Sequence, residues 1–338
     1  MPKISLVVCL YREKELLERL LHHAEGCYDE LVVVHDGAET SAPPSCQTQQ
    51  ISPEQLSLSS PQAPPVQMAR DYEVLSRNST LPPGYRLRND LGATGTIQEL
   101  VQQYKGSFYE GPRCFQQEPH WPFAWWVAKY DWILRLDADE YPSEALRIWI
   151  QDFRRNQTSP TDLSGFTAIW PLWDGKRDLP AHLPPWRPFL MNRQRVSFLG
   201  MVEQGPIPDF PWHPCNLVLH HRPRRKSFGP GNLLFRKQAY SWRKCIACSL
   251  LRRPQALPSW RYHLDTWPVH WEKIRQNPWR VGPARFIKSF FHDLVVRRRK
   301  GFDVVLEDTL ATAVHQLLMA WTFAWLRFIR SFHPRQLQ

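Results

Sequence analysis

The sequence predicts an α/β fold, a mostly parallel sheet flanked by helices, with a helical C-terminal extension. Three observations predict it. First, Lys3 to Leu10 is a continuous apolar run, the pattern of a strand buried on both faces. Second, Glu13 to Ala24 carries Leu16, Leu17, Leu20 and Leu21 at helical spacing, and Leu31 to His35 is another apolar run. Strand, helix and strand joined by short connections form a βαβ unit, which makes the two strands parallel. Third, Trp132 to Leu136 ends in Asp137-Ala138-Asp139-Glu140, and Tyr141-Pro142 then stops the strand. Open α/β sheets place their ligands at the carboxyl ends of strands. Three carboxylates this close repel one another unless a cation joins them, and a divalent ion carrying a phosphorylated ligand answers that need.

The remaining elements follow in order. Gly26 ends the first helix and Asp36-Gly37 closes the second strand with turn chemistry. Residues 41–95 open on a stretch rich in Ser, Pro, Gln and Ala with few core-forming residues. They read as a low-complexity insertion, a surface excursion from an otherwise continuous domain. Thr96 to Tyr104 is a short helix, and a short strand is expected near Phe108. Pro122 to Tyr130 is a helix with proline in its first turn. Glu144 to Phe153 is a helix. Gly165 to Pro171, Arg187 to Asn192, Val196 to Gly200 and Leu217 to His220 read as strands. From Asn232 onward the pattern is helical: Asn232 to Leu251, Gly282 to Arg299 and Phe302 to Arg330. The expected organisation is a catalytic unit over residues 1–221 and a basic helical region over 222–338.

The 338 residues carry a net charge of +11, unevenly placed. Residues 222–300 hold 20 Lys and Arg against 3 Asp and Glu, so the rest of the chain is net acidic. A basic block beside an acidic one favours phosphates or anionic headgroups as partners. No RNA-binding signature accompanies the block, so no nucleic-acid partner is expected. Seven scattered cysteines suit a reducing compartment better than a disulfide framework. Cys245 and Cys248 have metal-pair spacing but lack a second pair, and ordinary packing is the preferred reading. Mean hydropathy is −0.46. The first apolar segment is too short for a signal sequence, so a cytoplasmic location is expected.

Ile4-Ser-Leu-Val-Val-Cys-Leu-Tyr-Arg-Glu13, Val32-Val-Val-His-Asp36-Gly37 and Leu134-Arg-Leu-Asp137-Ala-Asp139-Glu140 occur in this order. The trio resembles the nucleotide-sugar half of a family 2 glycosyltransferase with the Rossmann-like GT-A fold, in a bacterial subgroup with a Leu-Asp-Ala-Asp-Glu strand end. The likeness covers residues 3–37 and 96–145, and continues more loosely to about residue 221. It implies that Tyr11, Arg12 and Glu13 line the nucleotide pocket and that Asp36 hydrogen-bonds the base. It places Asp137 near the ribose and sugar, and Asp139 on a divalent metal, Mn²⁺ or Mg²⁺, that carries the diphosphate. Glu140 is a further metal-shell or acceptor contact. The chain departs from the family at Arg12, where Asn is frequent, at His35, where Asp is frequent, and in the stretch before the acidic strand. There, Glu118 and His120 are within sequence reach of the pocket. Trp121, Trp125 and Trp126 are read as core, with sugar stacking as the alternative.

An inverting transferase needs a base for the acceptor hydroxyl. The candidates are Glu203, in an element resembling Phe-x-Gly-x-His-Glu, and Asp174. Arg187 and Arg193 bracket a strand and are candidates to hold the diphosphate or an anionic acceptor. The resemblance also implies a late metal-binding histidine, His220 or His221. Arg222, Arg224, Arg225 and Lys226 then follow as possible phosphate clamps. Thr309 to Phe332 repeats Leu, Trp, Phe and Arg at helical spacing. Two readings of it stay open: a helix lying on anionic lipid at the inner face of the cytoplasmic membrane, or packing against the catalytic unit.

The functional expectation is transfer of a sugar from a nucleoside-diphosphate sugar to a hydroxyl on a glycan or lipid-linked acceptor, in cell-envelope synthesis. Inversion is implied by the resemblance alone. One rival is a nucleotidyltransferase on a similar sheet, disfavoured because Leu10 to Lys14 has no glycine. The other is a non-catalytic basic protein binding membrane or nucleic acid.

Overall fold

The computed structural model describes residues 1–39, 85–88, 96–112, 117–156, 163–179, 187–197, 205–228, 273–274, 276–299 and 304–332. Within them, β1 (Ile4–Leu10), β2 (Glu30–Asp36), β3 (Arg86–Leu87), β4 (Ser107–Gly111), β5 (Trp132–Arg135), β6 (Glu140–Pro142), β7 (Gly165–Ile169), β10 (Arg187–Asn192) and β13 (Trp212–His221) form one sheet. Its order is β3-β4-β2-β1-β5-β10-β7-β13-β6. The block β4-β2-β1-β5 is parallel throughout. β10 runs against both of its neighbours, and β13 is parallel to β7 but antiparallel to β6. Four short strands lie outside this sheet. β8 (Leu172–Trp173) pairs with β9 (Asp178–Leu179), and β11 (Val196–Ser197) with β12 (Ile207–Pro208).

All seven residues of β1 are buried because helices cover both sheet faces. Period-2 alternation divides them. Ile4, Leu6, Val8 and Leu10 face one core with Leu17, Leu20 and Leu21 of α1 (Lys14–His23) and Leu146, Ile150 and Phe153 of α4 (Glu144–Asn156). Val7 and Cys9 face the other, with Val32, Val34 and the helix α3 (Trp121–Val127). Trp121 and Trp125 are wholly buried there, so both are core residues. Burial pushes the Cys27 thiol up to about 12 and Cys9 well above its usual value, as befits packing cysteines.

The remaining helices are α2 (Ile97–Gln103), α5 (Pro278–Phe291), which continues through a π-helical turn at His292–Arg297, and α6 (Leu306–Phe332). Thr96 caps α2 by accepting from the Glu99 amide at 3.1 Å. The Glu39 carboxylate accepts from the Ile97 and Gln98 amides of the same turn. Of the insertion expected at residues 41–95, only 85–88 are described, and they supply the edge strand β3. The predicted helix at 232–251, the pair Cys245 and Cys248, and residues 198–200 of the predicted strand lie outside the described residues.

Candidate functional site

The parallel block ends in the segment from Leu136 to Glu140. β5 stops at Arg135, one residue earlier than the sequence pattern implies, and Tyr141-Pro142 does not end order there. Glu140 to Pro142 instead form β6, paired with β13 in the register Glu140↔His221. Between the two strands the chain makes a tight turn. The Glu140 amide donates to the Asp137 carbonyl at 2.9 Å, and the Glu140 carboxylate accepts from the Asp137 amide at 2.9 Å. The Arg222 amide donates to the Asp139 carbonyl at 2.7 Å, fastening the end of β13 to this turn.

Two cations from the sheet face two of the acids. Arg187 Nη2 lies 2.5 Å from Asp137 Oδ2 and 2.8 Å from Glu140 Oε1. Arg135 Nη2 lies 3.8 Å from Asp137 Oδ1, and its guanidinium sits 4.3 Å from the Trp121 ring centroid. The Gln117 amide nitrogen, in the orientation that satisfies its neighbours, donates to Asp137 Oδ1 at 3.2 Å and to the Cys9 carbonyl at 3.0 Å. Burial works to raise the Asp137 pKa, but Arg187 and Arg135 outweigh it and hold the group below its ordinary value. Glu140 is wholly buried, and burial carries its pKa upward despite Arg187. Asp137, Glu140, Arg187 and Arg135 thus form a charge-balanced cluster beneath the turn.

Asp139 stands apart from that cluster. Its Oδ2 lies 3.3 Å from His221 Nε2, and the His221 ring stacks on Trp170 with centroids 4.1 Å apart. Glu13, at the start of α1, senses the same field. Burial first, and then the charges of Asp139 and Asp137, raise its pKa to about 7. A carboxyl raised from 4.5 to about 7 costs stability once it must ionise. Between those values the unfolded chain has released the proton and the folded chain keeps it, so stability falls as pH rises. In metal-free protein, urea denaturation is expected to show a loss on the order of 3 kcal/mol from this group between pH 4.5 and pH 8. Glu13→Gln is expected to flatten that part of the profile, and an unchanged slope would refute the assignment.

Arg12 adopts φ +57°, the left-handed region, at the turn that ends β1. That conformation costs an ordinary L-residue about 1 kcal/mol, and asparagine less. Arg12→Asn is therefore expected to raise stability by about 0.5 kcal/mol, read as a shift of the urea midpoint at unchanged m-value. Tyr11 beside it contacts the His35 ring, with centroids 5.6 Å apart. At the end of β2, Asp36 Oδ1 lies 3.0 Å from His120 Nε2, and His120 Nδ1 lies 3.0 Å from the Tyr85 hydroxyl. Asp36 and His120 are buried, and the three groups form a continuous polar chain. Glu118 opens the short 3₁₀ turn that carries His120 and lies within electrostatic reach of Arg135.

Other candidates sit elsewhere. Arg193 is not at the acidic turn. It donates to the Ala128 carbonyl and lies 3.5 Å from Asp131, at the opposite end of β5. The register pairs Asn192 with Trp132 and Leu190 with Leu134, so Arg187 lands beside Asp137 and Arg193 falls about 20 Å away along the strand. His220 points away from Asp139. Its Nδ1 is 2.7 Å from Asp178 Oδ2, and Arg222 grips the same carboxylate while stacking on Trp173. Asp174 closes the β8–β9 hairpin by accepting from the Lys176 and Arg177 amides, which lower its pKa. That direction weakens it as a general base. Arg224 and Lys226 pair with Glu15 and Glu307. Glu203 lies outside the described residues.

The sequence reading missed four participants: Arg135, Trp170, Asp178 and Gln117. Arg135 carried a usable signal, because a cation inside an apolar strand needs a partner. The others had none, since their partners are remote in sequence.

Among the described residues, no group of three or more His, Cys, Asp or Glu side chains is placed to hold a metal ion. Asp139 and His221 are the two side chains here that would hold a cation. Two ligands each about 2.1 Å from an ion and at right angles are about 3 Å apart, close to the 3.3 Å between Oδ2 and Nε2. The spacing of the pair fits a divalent ion, for which these two residues would supply one carboxylate oxygen and one imidazole nitrogen.

No family model and no curated protein matches the chain. Among solved structures, the chain is similar to the crystal structure of S. aureus TarS residues 1–349, with 12% identity and a TM-score of 0.32, over 92% of this chain and 90% of that one.

Proposed function

We propose that the chain is a metal-dependent glycosyltransferase that moves a sugar from a nucleoside-diphosphate sugar to a hydroxyl on a glycan or lipid-linked acceptor, with inversion. The observation that carries this reading is the division of the acids at the end of the parallel block. Asp137 and Glu140 are neutralised by Arg187 and Arg135, whereas Asp139, with Glu13 close by, faces His221 and leaves a site for a cation. The three strand ends that resemble a family 2 glycosyltransferase support the same reading.

Each group then has a task its surroundings suit. Asp36, oriented by His120 and Tyr85, receives the base. Asp137, fixed between two guanidinium groups and kept ionised, accepts from donor hydroxyls. Glu140 shapes the turn and does not face the reactants. Asp139 and His221 hold the cation, Mn²⁺ or Mg²⁺, which when bound stabilises negative charge on the departing diphosphate. Glu203 is the proposed base, and the lowered pKa of Asp174 disfavours the alternative.

A thermal-shift panel of UDP-, GDP-, dTDP- and CMP-sugars, with and without Mn²⁺, tests the reading. One base class is expected to raise the melting temperature, and more so with the metal. A ligand at a hundred times its Kd stabilises by about 2.7 kcal/mol. If no nucleotide shifts the transition under any metal condition, the proposal fails.

A further inference from the structure

The C-terminal helices carry a feature separate from the acidic turn. α5 and α6 pack closely enough that a Cβ on Gly282 would meet Ala320 Cβ at 2.5 Å. Ala313, Met319, Ala320, Phe323 and Leu326 of α6 are buried. The opposite stripe of α6 is also apolar: Leu306, Leu310, Leu317, Trp321, Trp325 and Phe328 recur every three, four or seven residues and are exposed. Trp279 of α5 joins them, its ring edge-on to Trp321 with centroids 5.9 Å apart. Trp279 is 64% exposed, Trp321 58% and Phe328 55%, large values for side chains that gain by leaving water. These rings and Arg327 line an open groove of 610 Å³. On α5, Arg280 lies at helical spacing with the exposed Ile287 and Phe291, and Lys288 is exposed next to Ile287, about half a turn from Trp279.

We propose that this two-helix face lies on an anionic lipid bilayer, with the rings at the headgroup boundary and the cations on lipid phosphates. Charge selects this occupant. Residues 273–332 hold 11 Lys and Arg against 4 Asp and Glu. Asp293 is buried and lies 2.9 Å from Arg297, and Glu307 pairs with Lys226, so neither adds negative charge to the exposed stripe. A second copy of this face would bring like charge against like charge, whereas an anionic surface brings the opposite sign. Exposed Trp and Phe flanked by Lys and Arg are what an interfacial helix requires. Among the described residues no helix is long and apolar enough to cross a membrane, so the face lies on the bilayer and does not span it.

Co-sedimentation of the full chain with vesicles tests this, using phosphatidylcholine alone and phosphatidylcholine mixed with phosphatidylglycerol. Binding is expected only to the mixed vesicles, with weakening as salt rises. Trp321→Ser combined with Trp325→Ser is expected to lower the partition coefficient about tenfold. Arg280→Gln and Lys288→Gln, both at exposed positions, are each expected to lower it about fivefold. Circular dichroism confirms that each variant is folded. Equal partitioning on both vesicle types, no partitioning at all, or variants that bind like wild type would overturn the proposal. So would a lipid-free dimer that the tryptophan variant dissolves, together with no vesicle binding. The readout is binding and not turnover, so its outcome is independent of the transferase reading.

Discussion

On the proposed function, Asp139→Asn is expected to lower metal-dependent turnover of the sugar nucleotide by a hundred- to a thousandfold while leaving the melting temperature nearly unchanged. Asparagine keeps the shape of the side chain and removes its charge. Asp139 is not part of the buried ion cluster, and its partner His221 is fixed independently by stacking on Trp170. The fold therefore has little to lose. On the proposed function catalysis has much to lose, because a cation held by one imidazole alone would bind weakly and would stabilise a leaving diphosphate less. Losing one positioned source of positive charge at a developing anion costs about 3 to 4 kcal/mol of transition-state stabilisation. The measurement is sugar-nucleotide hydrolysis, or transfer once an acceptor is found, across a Mn²⁺ titration. Turnover within twofold of wild type, with the same Mn²⁺ dependence, would contradict the assignment of Asp139 as a ligand.

Arg187→Met is expected to have the opposite signature, a loss of about 3 to 5 kcal/mol in stability at pH 7. Methionine fills much of the volume and supplies no charge. Glu140, with no exposed surface, and Asp137 would then face one another with Arg135 as the remaining guanidinium. The penalty is that of leaving carboxylates buried without their cation, and it exceeds what the intact ion pair contributes relative to an apolar isostere. Burial already raises the Glu140 pKa, so the variant should relieve strain by protonating it. The deficit is accordingly expected to shrink as pH falls from 7 to 5. Adding Glu140→Gln to Arg187→Met should recover part of it, and a double-mutant cycle by urea denaturation gives the coupling. A deficit below about 1 kcal/mol at pH 7 would show that the cluster is not structural.

These two residues illustrate what could be read from the chain and what could not. The acids at 137, 139 and 140 were legible because an apolar run followed by charge is a local pattern, and so was their place at a strand end. The parallel pairing of β1 with β2 followed from short connections and continuous burial, whereas the tertiary structure set β5 beside β1. The assignment of Trp121 and Trp125 to the core also followed from the pattern. The choice between Arg187 and Arg193 was not legible. Both flank the same strand, and only the antiparallel register of β10 against β5 decides which reaches Asp137. Nor was the choice between His220 and His221. Neighbouring residues of a strand face opposite sides, so a one-residue change of register would exchange their tasks. In the register observed, His221 pairs with Glu140 and reaches Asp139, while His220 is taken by Asp178.

The sequence alone thus determined the α/β class, the parallel pair β1 and β2, and the end of the sheet at which acids gather. Those properties arise from periodicities and short connections that act over a few residues. Tertiary structure alone decided which acids are neutralised, which one faces a histidine, and which aromatic stripe of the C-terminal helices remains exposed. Each of those outcomes depends on partners such as Arg187 and Asp137, 50 residues apart, brought together by strand register and helix packing that no local pattern encodes.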